Sequence, residues 1–192
     1  MAAPFARFDR FPHTALDAWR PQFAAGRLER IYLHWSAGDY ETVYPSYHYC
    51  VAFAGGVPLV VETNDLRANM HDVGQSADPY AAHTAGRNSY AAGIAVMAMR
   101  DAQPDDFGEF PLTPQTVDAL CAVAATIADA YGIPLDAAHV MTHAEAAIVD
   151  GYFGASSDDE RWDIARLAAS PLPLTEDDAR RTGEELRARC RR

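Results

Sequence analysis

Long apolar runs and clustered positive charge are what this sequence lacks first. No window approaches the roughly 18 consecutive apolar residues of a membrane-spanning helix. Residues 1–10 hold no apolar stretch behind a basic segment, so a secretory signal is not expected. The expectation is a protein made in the cytoplasm, for which any action outside the membrane would need a separate means of release. Lys and Arg number 16 against 27 Asp and Glu, a net charge of −11. Binding to nucleic acid or to an anionic membrane needs clustered cations, so neither partner is expected. Residues 187–192 are one local basic cluster. The three cysteines, Cys50, Cys121 and Cys190, are too few, too scattered and odd in number for a disulfide framework or a Cys-x-x-Cys knuckle. Cys50 in a strand-like run and Cys121 in a helix-like one read as small buried apolar residues. Internal repeats and low-complexity tracts are absent as well.

What is present fits one folded unit. The 192 residues are 49% apolar, enough to build a core and too apolar for global disorder. The run Ile31-Tyr32-Leu33-His34-Trp35 reads as a buried strand. Residues 47–53 and 57–62 around Gly55-Gly56 read as a hairpin, residues 93–99 as a central strand and residues 138–142 as another. An amphipathic helix is expected over residues 14–25, with Leu16, Trp19 and Phe23 on one face and Pro21 as an interruption. The clearest helix spans residues 113–131, capped by Thr113 and ended by Gly132 and Pro134. Residues 64–90 form a polar loop too long to be idle, and residues 151–160 an exposed acidic one. A Thr-x-x-Asp pattern at Thr175 opens a polar helix. The expected organisation is an α/β domain over residues 1–170, a mixed central sheet flanked by helices, and a polar helical tail over residues 171–192.

His34 closes its strand beside a small-residue turn, a position from which a scaffold can present a ligand or base. His143, in Val140-Met141-Thr142-His143-Ala144-Glu145, follows a strand in the same way. Zinc in a hydrolase takes three protein ligands from His, carboxylate or Cys and keeps one position open. Two imidazoles and a carboxylate suffice, and Asp163 in Arg161-Trp162-Asp163 is the candidate carboxylate, with Asp158 and Asp159 as alternatives. His139 precedes His143 by four residues. On a strand that separation is about 13 Å, too far to share an ion. His48, next to Tyr47 on a strand, points to the opposite face and reads as packing.

The ordered phrases Ile31 to Gly38, Tyr47-His48-Tyr49, Ala82-His83-Thr84-Ala85-Gly86-Arg87-Asn88-Ser89, Thr113-Pro114-Gln115, Tyr131-Gly132-Ile133-Pro134, Thr142-His143-Ala144-Glu145 and Arg161-Trp162-Asp163 resemble the zinc-dependent N-acetylmuramoyl-L-alanine amidases. That family shares the fold of the peptidoglycan recognition proteins and of phage lysozymes with amidase activity. The resemblance covers about residues 29–168. It implies a zinc ion held by His34, His143 and Asp163, and hydrolysis of the amide between N-acetylmuramic acid and L-alanine in peptidoglycan or muropeptides. It also implies Tyr47 beside the metal, Arg161 where relatives often carry Lys, and His83 with Asn88 in the loop bordering the peptide cleft. Zinc acidifies a bound water and polarises the scissile carbonyl. Arg161 suits the developing oxyanion, and Tyr47 or Glu145 would pass a proton to the leaving amine. Glu145 has a structural alternative as the cap of a short helix. Two departures stand out: Gly93-Ile94-Ala95 lacks the Glu that some relatives carry there, and the stretch between His143 and Asp163 is long. The competing class is a non-catalytic peptidoglycan-binding module, which typically loses a metal ligand. The Thr-His-Ala-Glu and Arg-Trp-Asp-Ile phrases look closer to the phage and prophage branch.

Overall fold

The computed structural model describes Phe8 and residues 10–192, and it builds a six-stranded mixed sheet with three helices. The strands are β1 (His13–Ala15), β2 (Arg30–Trp35), β3 (Tyr49–Ala54), β4 (Val57–Glu62), β5 (Ala91–Val96) and β6 (Val140–Thr142). The helices are α1 (Pro114–Tyr131), α2 (His143–Asp150) and α3 (Glu176–Cys190). Strand order is β1-β4-β3-β5-β2-β6. The β3–β4 hairpin and β1 are antiparallel, whereas β5 runs parallel to β3 and β2, and β2 parallel to β6.

Side-chain alternation along β2 divides the molecule into two faces. Ile31, Leu33 and Trp35 enter the main core, where they meet Ile94, Val96 and the α1 stripe of Val117, Leu120, Ala124 and Ile127. Each fully buried Leu or Ile there contributes about 1.5–3 kcal/mol of transfer free energy. Tyr32 and His34 face the other way, so the side chains of β2 that carry chemistry lie on the face opposite α1. All of β5 is buried, as expected of a continuous apolar run with a parallel neighbour on either side. The helix expected from Thr113 forms, with a Thr113–Thr116 capping box, Pro114 in its first turn and Gly132 left-handed at its end. Cys50 and Cys121 are buried, and all three cysteines are free thiols.

The helix expected over residues 14–25 does not form. His13–Ala15 pairs with β4 instead, and only a single 3-10 turn, Leu16–Ala18, follows. Pro21 removes a helical donor and restricts Arg20 before it, while pairing with β4 satisfies the backbone that a broken helix would strand. The apolar residues still reach the core. Trp19 packs edge-on against Tyr49 and donates its indole N–H to Glu62 at 3.2 Å.

Helix α3 lies against α1 and α2 through a stripe of buried residues, Ala179, Thr182, Gly183, Leu186, Arg187 and Cys190, spaced as one helical face. Its polar look in sequence comes from its outer face. Among the described residues no helix is long and apolar enough to cross a membrane.

Candidate metal centre

Parallel pairing of β2 with β6 assembles the site. Leu33 is in register with Thr142, so the next residues, His34 and His143, stand side by side at the carboxyl ends of neighbouring strands. Open α/β sheets place ligands at this edge. Thr142 ends β6 and also caps α2. Its hydroxyl accepts from the Glu145 N–H at 3.1 Å, and Glu145 Oε2 accepts from the Thr142 N–H at 2.9 Å. His143 is thereby fixed as the first residue of the helix. The two imidazole centroids are 4.7 Å apart at 72°.

Asp163 arrives from the long 151–163 loop, which is pinned at three places. Phe153 pairs with Arg161, Trp162 packs edge-on against Trp35 at 4.5 Å, and the Asp163 carbonyl accepts from the Ala144 N–H at 3.1 Å. Ile164 follows with φ of 59°, a left-handed conformation costly for a β-branched residue. The chain turns there, with an Asp163 carboxylate oxygen facing Nδ1 of both rings.

The three side chains converge on a single point. Nδ1 of His34 is 3.4 Å and Nδ1 of His143 3.2 Å from Oδ2 of Asp163, and the ligand atoms all lie within 4.8 Å of one another. Donors placed about 2.0–2.1 Å from a tetrahedral zinc ion stand roughly 3.4 Å apart. Two imidazoles and a carboxylate are an ordinary zinc donor set, so residues and spacing both fit the ion that the sequence leads one to expect. Asp158 and Asp159, the alternative carboxylates, are not part of this group.

A family model described as N-acetylmuramoyl-L-alanine amidase matches residues 13–161. The chain belongs to this family. Membership makes it a peptidoglycan amidase by family, and the mixed sheet with its helices is the expected fold. No curated protein matches the chain in a sequence comparison. The amidase match stops two residues before Asp163 and excludes α3, so Asp163 as a candidate ligand rests on the geometry above.

Around the triad of this amidase lies a cleft of about 560 Å³, lined by Tyr47, His83, Arg161 and Trp162 together with His143 and Asp163. The Tyr47 ring is 5.1 Å from His34, and its hydroxyl donates to the Trp35 carbonyl at 3.3 Å. The Arg161 side chain donates from one terminal nitrogen to the carbonyls of Asp158 and Glu160, both at 2.6 Å, and makes no other side-chain hydrogen bond to the described residues. Tyr47, Arg161 and His83 thus all line the cleft that holds His143 and Asp163.

Two sequence candidates are not brought to the cleft. Glu145 caps α2 and gives both carboxylate oxygens to Arg187 of α3, at 2.9 Å each. Asn88 is buried, and its side-chain oxygen accepts from the backbone N–H groups of His83 and Thr84 at 3.1 and 2.9 Å. It holds the loop, with no face toward the cleft. His139 is half-exposed and pairs with Asp136, as a structural residue would. His48 is fully buried, accepting from the Gly93 N–H and pairing with Asn69.

Burial governs the electrostatics. It pushes His34 down to about 4, opposed by the hydrogen bond to Asp163 and reinforced by His143 nearby. His83 is depressed by burial and by the imidazoles of His34 and His48. Burial alone would raise the Asp163 carboxyl. The hydrogen bonds and charges of His143 and His34 outweigh it and hold the group well below the usual carboxylate range. Tyr47 is raised far above an ordinary phenol by burial and by the Asp163 carboxylate, so its hydroxyl keeps its proton at neutral pH.

Proposed function

We propose that this chain is a zinc-dependent amidase that hydrolyses the bond between the lactyl group of N-acetylmuramic acid and L-alanine. The observation that carries the reading is the convergence of two imidazole nitrogens and one carboxylate oxygen within 4.8 Å at the mouth of a cleft. His34, His143 and Asp163 would hold the ion. When bound, zinc supplies Lewis acidity toward the scissile carbonyl and an acidified water as the nucleophile.

The protein's own groups divide the remaining work. Asp163 stays ionised and offers an anionic donor at the centre. Arg161, whose guanidinium is engaged through only one terminal nitrogen, lines the cleft, where its free donors can meet negative charge on the carbonyl oxygen. Tyr47 retains its phenolic proton and stands beside His34, which supports it as the group that protonates the leaving amine. Glu145 is committed to Arg187 and leaves that role to Tyr47. Trp35 and Trp162 form an apolar wall along the cleft, suited to the non-polar edge of a sugar or of the first peptide residues. The sequence phrases around His143 and Asp163 support a wall-degrading, endolysin-like setting.

Mass spectrometry of intact sacculi and of soluble muropeptides, each treated with the protein with and without a zinc chelator, tests the reading. Stem peptides with a new L-alanine amino terminus are expected, lost on chelation and restored by zinc. Release from sacculi supports the wall-degrading setting, and release from muropeptides alone supports recycling. Binding without release from either substrate overturns the enzyme reading in favour of a recognition module.

A further inference from the structure

His34 is held at both ends of its ring. Nδ1 faces the triad, and Nε2 points the opposite way onto Oγ1 of Thr84 at 3.3 Å. The same hydroxyl lies 3.0 Å from Nδ1 of His83. His34 and Thr84 are 0% and 1% exposed, so solvent does not stand in for either partner.

A neutral imidazole that offers Nδ1 to a cation must carry its hydrogen on Nε2, and that N–H needs an acceptor. A hydroxyl both accepts and donates. Thr84 can therefore take the His34 Nε2–H and direct its own hydrogen to Nδ1 of His83. The surroundings hold the hydroxyl in that place. Asn88 clamps the N–H groups of His83 and Thr84 with one oxygen, and the His83 ring packs 5.6 Å from both His34 and His48. The ring fits because position 93 is glycine: a Cβ there would lie 2.3 Å from Cγ of His83.

We propose that Thr84 is a positioning residue for the metal ligand His34, its hydroxyl fixing the ring orientation and the Nε2–H tautomer that frees Nδ1 for the ion. This rests on the metal reading above. Partners in the outer sphere of a ligating histidine typically set metal affinity by about 10- to 100-fold. Thr84 does not line the cleft, so its effect should appear in metal binding and leave substrate KM of the fully loaded enzyme unchanged.

The test is the zinc dissociation constant, measured by competition with a chromogenic chelator, for the wild type, Thr84→Val and Thr84→Ser. Valine keeps the shape and removes the hydroxyl, whereas serine keeps the hydroxyl and removes the methyl. Expected are an affinity loss of about 10- to 100-fold in Thr84→Val and near wild-type affinity in Thr84→Ser. Thr84→Ala is the second hydroxyl-free variant and should match valine if valine disturbs folding. Wild-type affinity in the hydroxyl-free variants overturns the proposal alone. Absence of zinc affinity in the wild type overturns it together with the metal reading.

Discussion

Replacing Arg187 by Met removes the guanidinium from the interface between α2 and α3. In the wild type Arg187 is 4% exposed, and its two terminal nitrogens each meet one oxygen of Glu145 at 2.9 Å, while one also donates to the Val140 carbonyl at 3.0 Å. The variant leaves the Glu145 carboxylate buried with the Thr142 N–H as its remaining donor, and leaves the Val140 carbonyl without Arg187. Breaking a buried ion pair from one side costs about 3–5 kcal/mol, a large fraction of the roughly 5–15 kcal/mol that holds a domain folded. With a urea m-value of about 2 kcal/mol/M, the unfolding midpoint should fall by roughly 1.5–2.5 M. Circular dichroism during urea titration of the chelated protein reads this directly. Glu145→Gln combined with Arg187→Met should recover most of the loss, because no charge is then stranded. A loss below about 1 kcal/mol in the single variant would refute the view that this pair fastens α3 to the helix bearing His143.

The other predictions concern the cleft and its supports. Asp163→Asn should weaken zinc binding and abolish hydrolysis and, by removing a carboxylate that the folded protein stabilises, lower the melting temperature of the chelated protein near neutral pH, which chelator competition and calorimetry together would check. Tyr47→Phe should lower kcat by about 100-fold or more with KM little altered, since the proton donor acts in the transition state; an unchanged kcat would remove Tyr47 from the mechanism. Gly93→Ala drives a methyl into the His83 ring and should cost about 1–3 kcal/mol in overpacking, visible as a lower midpoint in urea. The acid limb of the stability curve follows from His48, which burial pushes from 6.5 down to about 4 in the folded protein. The unfolded chain takes up the proton first, so stability is complete above pH 6.5 and falls toward pH 4 by about 1.4 kcal/mol per unit. His34 titrates over the same range in the chelated protein. A flat profile between pH 7 and pH 5 would contradict both shifts.

The sequence made the strands and the ligands legible for different reasons. A continuous apolar run announces β5 whatever its neighbours are, and the capping residues of α1 mark both its ends. His34 and His143 stand out as candidates because one closes a strand and the other follows one, whereas Asp163 sits in a loop with no period of its own and stands out by its Arg161-Trp162-Asp163 context. Side-chain direction is what the sequence does not display. Asn88 turns inward from its loop and Glu145 turns from α2 to Arg187 of α3, in line with the capping alternative for Glu145. Thr84 escapes notice because a hydroxyl beside a loop histidine is common, and only the folded loop brings it to Nε2 of His34. The lost helix over residues 14–25 shows strand pairing overruling an amphipathic pattern that Pro21 had already weakened.

His34 and Asp163 are 129 positions apart, and β2 pairs with β6, the strand that leads into His143. During synthesis the first ligand is made early and waits for most of the remaining chain. A partly made chain therefore presents the first of the three groups long before the other two. Latency is built into the topology: the proposed metal centre is complete only once residue 163 has been made and β6 lies beside β2.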